Sequence, residues 1–151
     1  LVMEDISLNA LIGKILEQQK IKSSRPFRIR VESVPEEITL RADRVHLYSI
    51  ISNLVDNAIK YAAKPSTVTL TLKSRGRSGA LLEVSNQCLQ LPEGDLSRLF
   101  ERFYRADASR TRQSGGSGLG LAIAQSIAQA HKAKINARRE AGERICFAVS
   151  F

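Results

Sequence analysis

"NLVDNAIKYA", Asn53 to Ala62, decides how this chain is read. The stretch is mostly apolar, yet Asn53 and Asn57 stand one helical turn apart and Lys60 and Tyr61 follow. On a helical wheel at about 100° per residue, Leu47, Ile50, Ile51, Leu54, Val55 and Ala58 make one apolar face. Asn53, Asn57, Lys60 and Tyr61 make a contiguous stripe beside it, bordering the core rather than bulk water. Amides at such an edge can ligate a hard cation or hold a polar ligand, and an ammonium can hold a phosphate. The plain alternative is a set of edge amides capped by neighbouring backbone.

Working outward, Asp43 is a good N-cap for a helix over about Arg44–Ala62, and Pro65 stops it. Upstream, Leu8, Leu11, Ile12, Ile15 and Leu16 fall at helical spacing and predict an amphipathic helix over about Ser7–Lys22. "FRIRVES" alternates like a strand, and "ITLRA" is expected to pair with it after a turn at Pro35. Downstream, "TVTLTLKS" and "ALLEVSN" flank "RGRSG" as a hairpin. "PEGDLSRLFERFYR" predicts a short helix opening at Pro92. "ADASRTRQSGG" is a polar, basic loop, and "SGLGLAIAQSIAQAH" a helix opened by glycines. "AKINARRE" and "RICFAVSF" close as a second hairpin. Strands and helices mix without strict alternation, which predicts an α+β fold with one mixed sheet and helices on one face.

The 151 residues suffice for one domain with a buried core, and 43% apolar and 25% charged residues are ordinary for a globular protein. No stretch approaches the roughly 20 apolar residues of a membrane span, and "LVMEDISLNALIGK" is not a signal peptide. The chain opens at Leu1, as a piece of a longer protein would. Cys88 and Cys146 are too few for a disulfide framework and too far apart for a metal knuckle, so they read as plain thiols in a reducing setting. The net charge of +8 suits nucleic acid, an anionic surface or a phosphate-bearing ligand. Sparse aromatics and the absence of Trp weaken a base-stacking platform, and no motif supports a nucleic-acid partner.

A second phosphate signal is "GGSGLGLAI". Gly116, Gly118 and Gly120 alternate just ahead of a helix, where glycines let backbone approach closely and free N–H groups attract phosphate. Alone it is weak, since a glycine-rich turn is often only a turn. The preceding run of Arg98, Arg102, Arg105, Arg110 and Arg112 also reads as a solvated face paired to Asp95, Glu101 and Asp107. The stripe on the helix and the glycine turn together point to a nucleotide pocket.

"NLVDNAIKYA", "LFERFYRADASR" and "GSGLGLAI", in that order, resemble the N box, F box and second glycine box of the catalytic, ATP-binding domain of bacterial two-component sensor histidine kinases. The resemblance runs from "LNALIGKIL" to the end. It implies a two-layer α/β sandwich, the Bergerat-type ATP-binding fold shared with gyrase B, MutL and a heat-shock chaperone. It further implies ATP bound with Mg²⁺ under a lid spanning about Leu96–Ser117. By the same resemblance Asn57 is the Mg²⁺ ligand and Asn53 lies close to the phosphates. Lys60 neutralises phosphate charge, Tyr61 sits by ribose and base, and Arg105 reaches the γ-phosphate side. Gly116, Gly118, Leu119 and Gly120 wrap the phosphates. The chain departs from the family where "NQCLQLP" stands for the usual DNGPGIP: Asn86 replaces the aspartate that accepts from adenine, and Cys88 and Gln90 replace glycines. "HKA" and "GERICF" also replace the usual HGG and GxGTxF.

The family's phosphoacceptor histidine lies on a helical dimerisation domain, expected ahead of Leu1; His46 and His131 lack its surroundings and read as structural or surface residues. The expectation is therefore a single ATP-binding catalytic domain over residues 1–151, itself monomeric. It would serve as the cytoplasmic part of a membrane-bound, homodimeric sensor that signals to a response regulator. The competing readings are a stand-alone serine kinase of the anti-sigma-factor type, and a degenerate module working through weak nucleotide binding or protein contacts.

Overall fold

The computed structural model describes residues 1–22, 28–33, 36–63, 67–88, 93–102 and 119–151. Strand β1 (Met3–Ser7) leads into helix α1 (Leu8–Lys22), followed by β2 (Arg28–Ser33), β3 (Thr39–Asp43) and α2 (Arg44–Tyr61). Then come β4 (Thr67–Arg75), β5 (Gly79–Gln87), a 3₁₀ turn (Leu96–Phe100), α3 (Gly120–Ala130), β6 (Lys134–Glu140) and β7 (Arg144–Ser150). Five strands form a mixed sheet in the order β2-β4-β5-β7-β6, and β1 pairs with β3 as a separate two-stranded ribbon. The α+β architecture expected from the sequence is present.

The sheet's pleat sorts its residues. Val68, Leu70 and Leu72 of β4, Leu82 and Val84 of β5, and Phe147 and Val149 of β7 share the core with the helices. Against them α2 buries Leu47, Ile50, Ile51, Leu54, Val55, Ala58 and Ile59. This is the apolar face read from the wheel, with Ile59 added. At about 1.5–3 kcal/mol for each large side chain removed from water, the face fixes the rotation of α2 and so the direction of its polar stripe. Both hairpins form as expected, β4 with β5 and β6 with β7. The first turns at Gly76, whose φ of 70° is left-handed and suits a residue without a β-carbon.

One expectation fails and a second is met only in part. "FRIRVES" and "ITLRA" do not form a hairpin: β2 lies parallel to β4, with Ile29 beside Val68 and Val31 beside Leu70. That register packs Ile29 against the core beside Val68, while Val31 stays 46% exposed at the sheet's outer edge. Strand β3 instead pairs antiparallel with β1, Leu40 opposite Ile6, an element the sequence reading left unassigned. Leu40 and Ile6 are both buried under α1 and α2. The helix expected from Pro92 is a 3₁₀ turn capped by Asp95, whose carboxylate accepts from the Ser97 N–H at 2.9 Å. Pro92 itself lies outside the described residues.

Candidate functional site

The site is built on α2. Asp43 caps the helix, its Oδ1 accepting from the His46 N–H at 3.1 Å and its Oδ2 from the Val2 N–H at 2.7 Å. These backbone donors, Val2 first, hold its carboxyl below the usual carboxylate range. The Asp43 N–H in turn donates to His131 Nε2 at 3.2 Å, while His131 Nδ1 lies 3.0 Å from the Ile127 carbonyl. The His46 and His131 rings meet edge-on with centroids 6.1 Å apart. One carboxylate and two imidazoles thus tie the start of α2 to the end of α3 and to the β1–β3 ribbon. Neither histidine resembles a phosphoacceptor in a helical hairpin.

Further along α2 the expected site residues appear in turn. Asn53 is half-buried, and its Nδ2 donates to the Ser49 Oγ one turn earlier at 3.3 Å. Its Oδ1 faces the start of α3 so closely that a β-carbon on Gly120 would lie 3.2 Å away. Glycine at that place leaves the amide room for this close approach. Leu119 precedes Gly120 at the N-cap position, without a side-chain cap. Asn57 and Tyr61 are half-buried along the same helix, and Lys60 is exposed between them. Helix α2 ends at Ala62, and the Ala63 N–H donates to the Gln87 carbonyl at 2.8 Å. That bond brings the end of β5 to the end of the stripe.

Asn86 is 1% exposed there. Its Nδ2 donates to the same Gln87 carbonyl at 3.1 Å, and its Oδ1 is buried with no hydrogen-bond partner among the described residues. A buried acceptor left unmatched costs about 1–3 kcal/mol, so this atom suits a ligand that brings a donor. The adjacent Cys88 is buried, and its N–H donates to the Glu143 carbonyl at 2.7 Å, fixing the strand end. On the far side of the sheet, burial pushes the Cys146 thiol up to about 12.

The first half of the F box is anchored. Phe100 is buried and meets Phe147 edge-on at 6.0 Å, and the Arg139 guanidinium donates to the Gly94 carbonyl at 2.7 Å. Arg105, Gly116 and Gly118, with the expected lid beyond Arg102 and Gln90 of the altered glycine box, lie outside the described residues. The structure therefore brings Asn53 to Gly120, and Asn86 to the end of the Asn57–Tyr61 stripe. Sequence reasoning missed Ser49, which a search at one-turn spacing from Asn53 would have found. It also missed the pairing of Gln19 Nε2 with Asp56 Oδ1 at 2.6 Å, which crosses from α1 to α2. Among the described residues no group of His, Cys, Asp and Glu could hold a metal ion, and no helix is long and apolar enough to cross a membrane.

Comparison with known proteins follows the same lines. The chain is 34% identical over 134 residues to sensor histidine kinase YkoH of Bacillus subtilis, a match covering 88% of this chain and 29% of that protein. It is 31% identical over 151 residues to the sensor-like histidine kinase SenX3 of Mycobacterium tuberculosis, covering 98% of this chain and 36% of that one. The chain spans about a third of the length of these relatives. Among solved structures, the catalytic domain of histidine kinase ThkA superposes with a TM-score of 0.84 at 22% identity, covering 100% of this chain and 95% of that one. ThkA in complex with the response regulator protein TrrA superposes at 0.80 and 22% identity, covering 99% of this chain and 41% of that one. The histidine kinase-, DNA gyrase B-, and HSP90-like ATPase family matches residues 42–151, from the last residues of β3 through the N-box helix to the closing hairpin. The chain belongs to that family, as a catalytic domain of the sensor histidine kinase type.

Proposed function

We propose that residues 1–151 form one catalytic domain that binds ATP with Mg²⁺ along α2 and delivers the γ-phosphoryl to a histidine on a separate dimerisation domain. The observation that carries the reading is the buried, unmatched Asn86 Oδ1 at one end of a polar stripe whose other end abuts Gly120. From Asn53 to Ala62 the helix rises about 13 Å, the span of an extended nucleoside triphosphate. The adenine amino group would donate to Asn86, Tyr61 would lie by the ribose and base, and the phosphates would meet Asn53, Lys60 and the Gly116–Gly120 turn. Asn57 would hold Mg²⁺, which supplies charge neutralisation across the phosphates. Arg105 would face the γ-phosphate. In transfer, the acceptor imidazole nitrogen forms its bond to phosphorus as the β–γ bridging bond breaks and ADP leaves. The protein's share is positioning and electrostatic compensation. The phosphoryl would pass on to a response regulator, as the ThkA complex with TrrA suggests by analogy. The whole protein would be a homodimeric membrane sensor with this domain in the cytoplasm.

Calorimetry of MgATP binding tests the site. The chain should bind, and Asn57→Ala should lose Mg²⁺-dependent binding with its melting temperature unchanged. Unaltered binding in that variant rejects the role of Asn57. Incubated alone with radiolabelled ATP, the chain should acquire no acid-labile label. A dimerisation domain supplied in trans should acquire it; label on His46 or His131 would refute the proposed acceptor.

A further inference from the structure

Gln19 is 5% exposed on a helix whose other buried side chains near α2 are apolar: Leu8, Leu11, Ile12 and Ile15. Apolar contacts between helices are non-directional and tolerate several neighbouring orientations. A buried amide is costly unless bonded, and here Nε2 donates to Asp56 Oδ1 at 2.6 Å. The neighbouring Gln18 accepts from the Tyr48 hydroxyl, two turns earlier on α2. Adjacent residues of α1 thus clasp α2 at two points about 12 Å apart along its axis.

Asp56 lies three residues after Asn53, immediately before Asn57, and four before Lys60. Residues three and four apart share a helix surface. A carboxylate at this place, turned toward the stripe, would repel phosphate and draw on the Lys60 ammonium. Resting on the nucleotide reading above, we propose that Gln19 is a positioning residue for that site: by bonding Asp56 it holds the carboxylate on the α1 side of α2, away from the phosphates. The geometry is suited to it, since Asp56 bonds α1 while Asn53 faces the start of α3.

The test compares MgATP affinity of the 151-residue chain with Gln19→Met, which keeps the volume and removes the donor, and with Gln19→Met combined with Asp56→Asn. Gln19→Met should weaken binding about fivefold at low salt and less at about 0.3 M, where exposed charges are screened. Adding Asp56→Asn should restore affinity to within about twofold. Asp56→Asn alone, which leaves Gln19 a carbonyl to bond, should bind like the unaltered chain and covers the case in which Gln19→Met does not fold. Unchanged affinity in Gln19→Met overturns the proposal. So does a loss that Asp56→Asn fails to restore, which would be structural, or a fivefold loss in Asp56→Asn alone. Absence of MgATP binding by the unaltered chain overturns the nucleotide reading and this inference together.

Discussion

Gly120→Ala should separate binding from stability. Gly120 is the first residue of α3 and its backbone is helical, so alanine fits the conformation. In a helix interior that exchange stabilises by up to about 1 kcal/mol, and less in the first turn. The new β-carbon, however, would stand 3.2 Å from Asn53 Oδ1 and 3.7 Å from its Cγ. Comfortable contact begins near about 3.5 Å, so the amide must retreat by a few tenths of an ångström. As it retreats, Asn53 strains its 3.3 Å bond to Ser49. The fold should therefore gain between nothing and about 0.5 kcal/mol. MgATP affinity should drop about fivefold, equivalent to about 1 kcal/mol. Calorimetry measures the second and thermal denaturation the first. An unchanged dissociation constant would show that the close approach of Asn53 to α3 does not serve the ligand. A destabilisation above about 2 kcal/mol would show that the β-carbon disrupts packing rather than the site.

Asn86→Asp should tighten ATP about fivefold, because a carboxylate accepts the adenine amino group more strongly than an amide, while the empty chain becomes less stable with a charge at a site 1% exposed; calorimetry and melting with and without nucleotide should show the opposite signs. Asp43→Asn should lower stability near neutral pH and lose that difference in acid. The native carboxyl titrates below its unfolded value of about 3.9, so its contribution is present above that value and disappears as the pH falls through the lower folded value. Parallel denaturant titrations at pH 7 and in acid read this directly. With its thiol pushed up to about 12, Cys146 should resist iodoacetamide at pH 8 in the folded chain and react only after unfolding, as mass spectrometry of alkylated peptides would register.

Periodicity and turn chemistry carried much of the fold. The apolar face of α2 follows from spacing alone, and the hairpin at Gly76 follows from a turn that tolerates a left-handed residue. What local patterns could not name was the partner of each strand. β2 alternates correctly for a hairpin with β3, yet it lies parallel to β4, where Ile29 reaches the core beside Val68 and Val31 stays exposed. β1 carries charges at Glu4 and Asp5, and its strand character comes only from pairing with β3. In the site, the meeting of Asn53 with Gly120 was implied by motif order, and the placement of Asn86 by alignment with a familiar box. The bond from Asp43 to His131 joins residues 88 apart in sequence, where no spacing rule applies. Gln19 reads in sequence as one more polar residue on a helix; only the crossing of α1 over α2 shows its side chain to be buried.

The strand order leaves β2 and β6 as the outer strands of the large sheet. An outer strand offers a row of unpaired backbone groups to any passing chain. Here both carry a surplus of positive charge: Arg28 and Arg30 against Glu32 on one, Lys134, Arg138 and Arg139 against Glu140 on the other. Arg30 is paired to Glu32, and Arg138 to Glu83 and Glu140, so each edge keeps a net positive charge that two copies approaching edge to edge would share. The resulting repulsion is electrostatic and therefore weakens as salt rises. Raising the ionic strength should therefore lower whatever barrier these edges set against self-association.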